Sequence, residues 1–328
     1  MGAPHDTSHI LQSLISNVVM AAIKVAAAVY TGSGALLAEA LHTTADSANQ
    51  VLLLIGVSRS RKAPDATHPL GYGRELYFWS FLVALLLFSA GGLFSIYEGV
   101  HKLSTPEPIS NAWVGFAILI FSLVLEFFVT GANIRQINRT RGERGFLRFV
   151  VDSKESDLIV VFGENLAALL GTVFALGAFF MAWKTGDGRW DAGGSILVGV
   201  VLIGVALFLT VEVKSLLIGE SADPEIAAAA QDAAEEDPLV DEVSHLITVQ
   251  QGPGEVLVAL KVTCAPTLTA QEVSRMINGF EKRLRARCPQ ARWIFVEVDL
   301  GDGPVSSHFA LPAAPDEPGT SPPSKNPS

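Results

Sequence analysis

Ala38-Glu39-Ala40-Leu41-His42-Thr43-Thr44-Ala45-Asp46-Ser47-Ala48-Asn49 lies inside an apolar run over residues 34–57, long enough to cross a bilayer, which takes about 20 residues. His42 and Asp46 are four apart, so on a helix they share one face, a turn from one another. Glu39 and Asn49 continue that stripe at spacings of three. Ionisable side chains at membrane depth are costly and face a bundle interior or a watery cavity, paired or bound to an ion. An imidazole nitrogen and a carboxylate oxygen one turn apart make half of a tetrahedral site for zinc or a similar divalent metal. A His–Asp hydrogen bond joining packed helices is the plainer alternative.

The rest of the chain is built to the same scale. Of 328 residues only 17% are charged, and the mean hydropathy is +0.39, as in a polytopic membrane protein. Apolar segments at 10–30, 35–57, 77–99, 112–134, 158–183 and 193–219 predict six spans. The first two are joined by the turn Thr31-Gly32-Ser33-Gly34. Orientation follows the Lys/Arg bias of short loops. Arg59, Arg61, Lys62 and Arg74 follow the second span, and Arg135, Arg139, Arg141, Arg144, Arg148 and Lys154 follow the fourth. The loops after spans three and five carry only Lys102, and Lys184 with Arg189. Both termini are therefore expected in the cytoplasm. The Arg-rich loop reads as a topology determinant touching lipid headgroups rather than as an RNA contact. A net charge of −10 likewise argues against a nucleic-acid partner. The N-terminus, from Met1 to Asp6, has neither the basic start of a secretory signal nor a myristoylation pattern.

After Gly219 the character changes. Asp223-Pro224 opens an Ala/Glu-rich helix to about residue 236, an N-cap followed by proline at the first helical position. Alternating β-branched runs at 245–250 and 256–263 flank Gly252-Pro253-Gly254 and predict a hairpin. Thr269 and Glu272 form a capping box for a helix ending near Arg287, and 292–298 is a last strand. The order α-β-β-α-β predicts a small open-faced, ferredoxin-like α+β domain. Three regions result: a transmembrane domain over 1–219, a cytoplasmic α+β domain over 220–303, and a disordered Pro/Ser-rich tail over 304–328. Cys264 and Cys288 lack metal-binding spacing and read as reduced thiols of a cytoplasmic domain.

Six spans with cytoplasmic ends, HxxxD on the second and this C-terminal domain together resemble the cation diffusion facilitator family. Ser33-Gly34-Ala35-Leu36-Leu37-Ala38-Glu39, His68-Pro69-Leu70-Gly71-Tyr72-Gly73-Arg74-Glu75, Tyr97-Glu98-Gly99 and Trp190-Asp191-Ala192-Gly193-Gly194-Ser195-Ile196 are similar to the family's local signatures, in order, over about residues 8–299. Gly163-Glu164-Asn165-Leu166-Ala167-Ala168-Leu169-Leu170-Gly171 resembles the branch of mitochondrial-type zinc transporters and their bacterial relatives.

In most of that family the fifth span repeats an HxxxD or DxxxD, where this chain has Val161 and Asn165. Valine cannot ligate, but Glu164, about 100° round the helix, has a longer reach. The expected transport site is therefore His42, Asp46, Glu164 and Asn165. Two carboxylates, a neutral imidazole and a neutral amide balance a divalent ion at low dielectric. Alternatively Glu164 makes a helix–helix hydrogen bond or partners Lys24. A loop site keeps only Asp65 and His68, with Tyr72 in the third position. In the cytoplasmic domain His245, Glu297 and Asp299 fall near family metal positions, but Lys261 replaces a ligand, so little zinc sensing is expected there.

The resemblance implies export of a divalent cation, foremost Zn²⁺, in exchange for protons, by a homodimer without cofactors. Metal ligands must be deprotonated to bind, so proton and metal compete for the same groups. Mn²⁺, Fe²⁺ or Co²⁺ are the alternative cargoes, because Glu164 and Asn165 add oxygen donors. A membrane-anchored metal sensor or scaffold that moves nothing is the rival outside transport. An intramembrane metalloenzyme is disfavoured by the absence of HExxH. A bacterial inner membrane is the expected location.

Overall fold

The computed structural model describes residues 8–105, 111–142, 145–152 and 156–299. The expected tail at 304–328 and the first residues of the chain lie outside the described residues, as do Arg144 and Lys154.

Six long helical rods form one bundle. They are α1 (Ser8–Thr31), α2 (Gly34–Ser60), a rod made of α3 (Glu75–Leu86), a π-helical stretch (Leu87–Leu93) and α4 (Phe94–Ser104), then α5 (Ala112–Thr140), α7 (Ser156–Thr185) and α8 (Arg189–Ile218). A short α6 (Phe146–Asp152), not expected from the sequence, precedes α7. Glu75–Ser104, Ala112–Thr140, Leu158–Thr185 and Arg189–Ile218 are long and apolar enough to cross a membrane by length and composition alone. In α1 the described apolar part is the shorter Asn17–Thr31. In α2 the hydropathy is diluted by the polar stripe, which is turned inward: Glu39, His42 and Asn49 are buried. Outward-facing Val124, Phe127 and Phe128 of α5, and Val200 and Val211 of α8, are exposed, as suits contact with lipid.

The α1–α2 turn fixes the depth of that stripe. Gly32, at φ +72°, ends α1, and Ser33 caps α2 by accepting from the Leu36 amide at 3.1 Å. Asp191, in the first turn of α8, reaches the same spot. Its Oδ1 accepts from Ser33 Oγ at 2.5 Å and its Oδ2 from the Gly34 amide at 2.5 Å. Lys102, near the end of α4, donates to the Gly32 carbonyl.

The π-helical stretch packs against α8 through a seam of small residues. A Cβ on Gly92 would stand 2.5 Å from Ile203 Cγ1, and one on Gly199 would stand 2.7 Å from the Gly92 carbonyl. Within a membrane, where lipid is as apolar as leucine, such close backbone approach is what holds helices together.

Beyond the bundle come α9 (Pro224–Glu235), β1 (Glu242–Gly252), β2 (Glu255–Thr263), α10 (Ala270–Arg287) and β3 (Ala291–Asp299). Asp223 caps α9 with Pro224 behind it, and the Thr269–Glu272 box caps α10, both as expected. β1 pairs antiparallel with β2, and β2 parallel with β3, in the order β1-β2-β3. Val256, Val258, Leu260 and Val262 alternate into a core shared with Ile226 and Ala230 of α9 and Met276, Phe280 and Leu284 of α10. Cys264 and Cys288 are free, buried thiols. The hairpin end meets the segment before α3: a Cβ on Gly73 would stand 2.6 Å from the Gln251 carbonyl.

Candidate metal site within the helix bundle

On α2 the stripe Glu39, His42, Asp46 and Asn49 points into the bundle, where α1, α7 and α8 pack against it. His42 is fully buried, and Asp46 is 9% exposed. His42 Nδ1 stands 3.5 Å from Asp46 Oδ1, too far for a good hydrogen bond. Neither His42 nitrogen has a hydrogen-bond partner, nor does Asp46 Oδ1. Burying such atoms without a partner costs roughly 1–3 kcal/mol each. Two orphaned imidazole nitrogens beside an orphaned carboxylate oxygen suit a cation far better than a helix–helix hydrogen bond.

α7 contributes Glu164, also buried. Its Oε1 accepts from Asn49 Nδ2 at 2.7 Å, which ties the acid to the α2 stripe one turn beyond Asp46. Asn49 itself is fully buried, and its Oδ1 has no partner. Asn165 is half-buried, and its main-chain carbonyl accepts from Thr130 Oγ1 of α5 at 3.2 Å. Among the described residues no three His, Cys, Asp or Glu side chains stand grouped tightly enough to hold a metal. In this conformation Asn49, an amide, occupies Glu164.

Lys24 is not the partner of Glu164. Its ammonium, 1% exposed, donates to Glu39 Oε2 at 3.2 Å, to Thr43 Oγ1 at 3.1 Å and to Glu126 Oε1 of α5 at 3.1 Å. Thr172 of α7 donates to Glu39 Oε2 at 2.8 Å. This network joins α1, α2, α5 and α7 one turn from His42. The sequence reading passed over Asn49 as a contact and Glu126 altogether. A lone acid in the middle of a 29-residue apolar helix is the signal that could have found Glu126.

The two outlying sites are held by other means. Asp65 Oδ1 accepts from the Thr67 and His68 amides at 3.0 and 2.9 Å, and its Oδ2 from Tyr72 Oη at 2.7 Å. These bonds hold the Asp65 carboxyl well below the usual carboxylate range. Asp65 is thus the centre of a turn. In the sheet, Lys261 Nζ lies 3.3 Å from Glu297 and 2.8 Å from Asp299, and its β2 position pairs with His245 of β1. The ammonium sits between the two acids, which push its pKa up.

Residues 10–218 match the profile of the cation efflux transmembrane domain. The chain is 34% identical over 235 residues to the proton-coupled zinc antiporter SLC30A9, mitochondrial, of Xenopus laevis, covering 71% of this chain and 42% of that one. It is 29% identical over 252 residues to metal tolerance protein C4 of Arabidopsis thaliana, covering 76% and 55%. It is 25% identical over 231 residues to the cation-efflux pump FieF of Citrobacter koseri, covering 70% and 72%. The chain thus spans less than half the length of the frog antiporter it matches.

Proposed function

We propose a transport reaction on one premise: this chain belongs to the cation diffusion facilitator, or cation efflux, family. It is an integral membrane protein of a transporter family and not an enzyme. Within that frame it exports Zn²⁺ from the cytoplasm in exchange for protons, a reading supported by its likeness to the SLC30A9 proteins, which are named proton-coupled zinc antiporters. The single observation that carries the reading is the buried, partnerless set of His42 Nδ1 and Nε2 with Asp46 Oδ1, on a helix joined to Glu164 through Asn49.

His42, Asp46 and Glu164 hold the ion, with Asn165 as an oxygen donor from α7. The two carboxylates cancel the charge of the metal, so the loaded site is neutral at low dielectric. Glu164 keeps Oε1 on Asn49 and turns Oε2 toward His42 and Asp46 to complete the shell, which makes loading a local rearrangement between α2 and α7. Each ligand binds metal only when deprotonated, so a proton arriving on Asp46 or Glu164 releases the ion. The basic loops after α2 and α5 face the cytoplasm, so the metal enters from that end and leaves past the α1–α2 turn. The C-terminal domain pairs two protomers through the open face of its sheet, where Phe295 is 56% exposed. The setting proposed for it is a bacterial inner membrane, with both termini in the cytoplasm.

Uptake into proteoliposomes tests this. Zn²⁺ flux should require a pH gradient and vanish in His42→Ala and Asp46→Ala. Flux that survives both substitutions, or none in the wild type, overturns the reading. The oxygen-rich donors Glu164, Asn165 and Asn49 favour a second cargo, Mn²⁺, Fe²⁺ or Co²⁺. Competition by those ions in the same assay decides between them.

A further inference from the structure

We propose that the Lys24–Glu39–Glu126 cluster is a proton-binding site, distinct from the metal ligands, with Glu126 as the carrier. Its part in exchange rests on the transport reading above, but its protonation does not.

The cluster is short of hydrogen-bond donors. All three N–H groups of the Lys24 ammonium are used, on Glu39, Thr43 and Glu126. The Thr43 hydroxyl donates to the Glu39 main-chain carbonyl at 3.0 Å, and that of Thr172 to Glu39 Oε2. Glu39 Oε1 and Glu126 Oε2 are left buried with no partner. One ammonium against two carboxylates leaves a net charge of minus one at mid-membrane, where charge is most costly. A proton on one carboxyl brings the cluster to zero and adds an O–H donor to it. No covalent bond other than that O–H forms, and none breaks.

Glu126 is the carboxyl that takes it. Glu39 is fully buried, and its Oε2 accepts from both Lys24 and Thr172, which favours its charged form. Glu126 accepts from Lys24 Nζ while the Thr172 hydroxyl donates to Glu39, and the Glu126 side chain is 16% exposed against 0% for Glu39. The charged groups that act on Glu126 are Lys24 from α1 and Glu39 from α2; α7 presents the hydroxyl of Thr172 there. On α5 it continues the inward stripe Leu119, Ser122, Thr130 and Ile137.

Position gives the cluster its use. Along α2 Glu39 precedes His42, and along α7 Thr172 follows Glu164, so the network lies between the metal ligands and the α1–α2 turn. A proton entering from that end meets Glu126 first. The charges of Lys24 and Glu39 both act on Asp46. Neutralising Glu126 leaves Lys24 balanced by Glu39 alone, so the net charge of the cluster beside the metal ligands rises from minus one to zero and a divalent cation is held less tightly, by about two orders of magnitude for a unit charge roughly 10 Å away at an effective dielectric of 20.

Two measurements test this. Infrared difference spectra of the protein in lipid, taken across a pH step, should contain a protonated-carboxyl band that Glu126→Gln removes; an unchanged spectrum overturns the proposal. This arm decides whether or not metal moves, so a wild type without Zn²⁺ flux would refute the transport reading alone. Should Glu126→Gln not elute as folded protein, Glu126→Asp is expected to shift the band and its midpoint, and a band left in place overturns the site. In proteoliposomes at saturating Zn²⁺ Glu126→Gln should keep Zn²⁺–Zn²⁺ exchange at equal pH within about twofold, at a raised half-saturating concentration, while losing acceleration by a pH gradient. A merely structural network would lower both together or neither, and either outcome refutes the role in exchange.

Discussion

Asp191→Ala should destabilise the bundle while leaving every metal ligand intact. The carboxylate is 3% exposed and collects Ser33 Oγ at 2.5 Å, the Gly34 amide at 2.5 Å and the Ala35 amide at 3.3 Å. Those amides belong to the first turn of α2 and have no intrahelical acceptor. Alanine strands both, at about 1–3 kcal/mol each, and removes a negative charge at a helix N-terminus, worth about 0.3–1 kcal/mol. The expected loss is about 3–6 kcal/mol, which for a domain of about 200 residues lowers the melting temperature by roughly 10 °C. Asp191→Asn, which retains an acceptor, should fall between. Lys102, 3.9 Å from Asp191 Oδ2, gives an internal control: Lys102→Met should cost less in the Asp191→Ala background than alone, because the two act on one joint. Thermal unfolding followed by size exclusion in detergent reads all four variants against the wild type. A shift below about 2 °C for Asp191→Ala, or strict additivity with Lys102→Met, would refute the argument that this carboxylate anchors the start of α2.

Three further expectations follow from named contacts. Asn49→Leu removes the donor that steers Glu164, so zinc affinity by calorimetry should fall by about 10–100-fold, the usual range for a residue orienting a metal ligand; unchanged affinity would mean that Glu164 stays outside the site. Lys261→His replaces the resident ammonium with an imidazole beside Glu297 and Asp299, so zinc should raise the melting temperature of that variant and not of the same protein lacking both acids. The Asp65 carboxyl is depressed by its hydrogen bonds, and a depressed acid stabilises above its unfolded pKa of about 4 and loses that contribution as pH falls through its folded value. Hydrogen exchange in the turn around Thr67 should therefore stay slow at pH 4 and quicken only in stronger acid, and Asp65→Asn should abolish that dependence.

Much of this was legible from local signals. The i, i+4 spacing of His42 and Asp46 placed them on one buried face, and Asp223-Pro224 and Thr269-Glu272 announced the starts of α9 and α10. Each of those readings needs only a few neighbouring residues. What escaped depends on distant partners. The π-helical stretch lies where Gly92 closely approaches Gly199 of α8, a long-range contact that no local pattern encodes. Glu164 could have reached Lys24 or an amide, and the choice of Asn49 is settled only by how α2 and α7 meet. Lys24 and Glu126 are 102 residues apart, and their pairing needs the packing of α1 against α5. Three of the four proposed ligands are ionisable and stand out against lipid-compatible sequence; Asn49 is visible there as part of the stripe, but its bond to Glu164 is not.

X-ray absorption on the Zn²⁺-loaded protein in lipid tests the central claim most directly. A single ion bound between α2 and α7 should show one imidazole nitrogen among oxygen donors, lose that nitrogen in His42→Ala and lose an oxygen in Glu164→Leu. A spectrum unaltered by both substitutions would place the ion elsewhere and contradict the account.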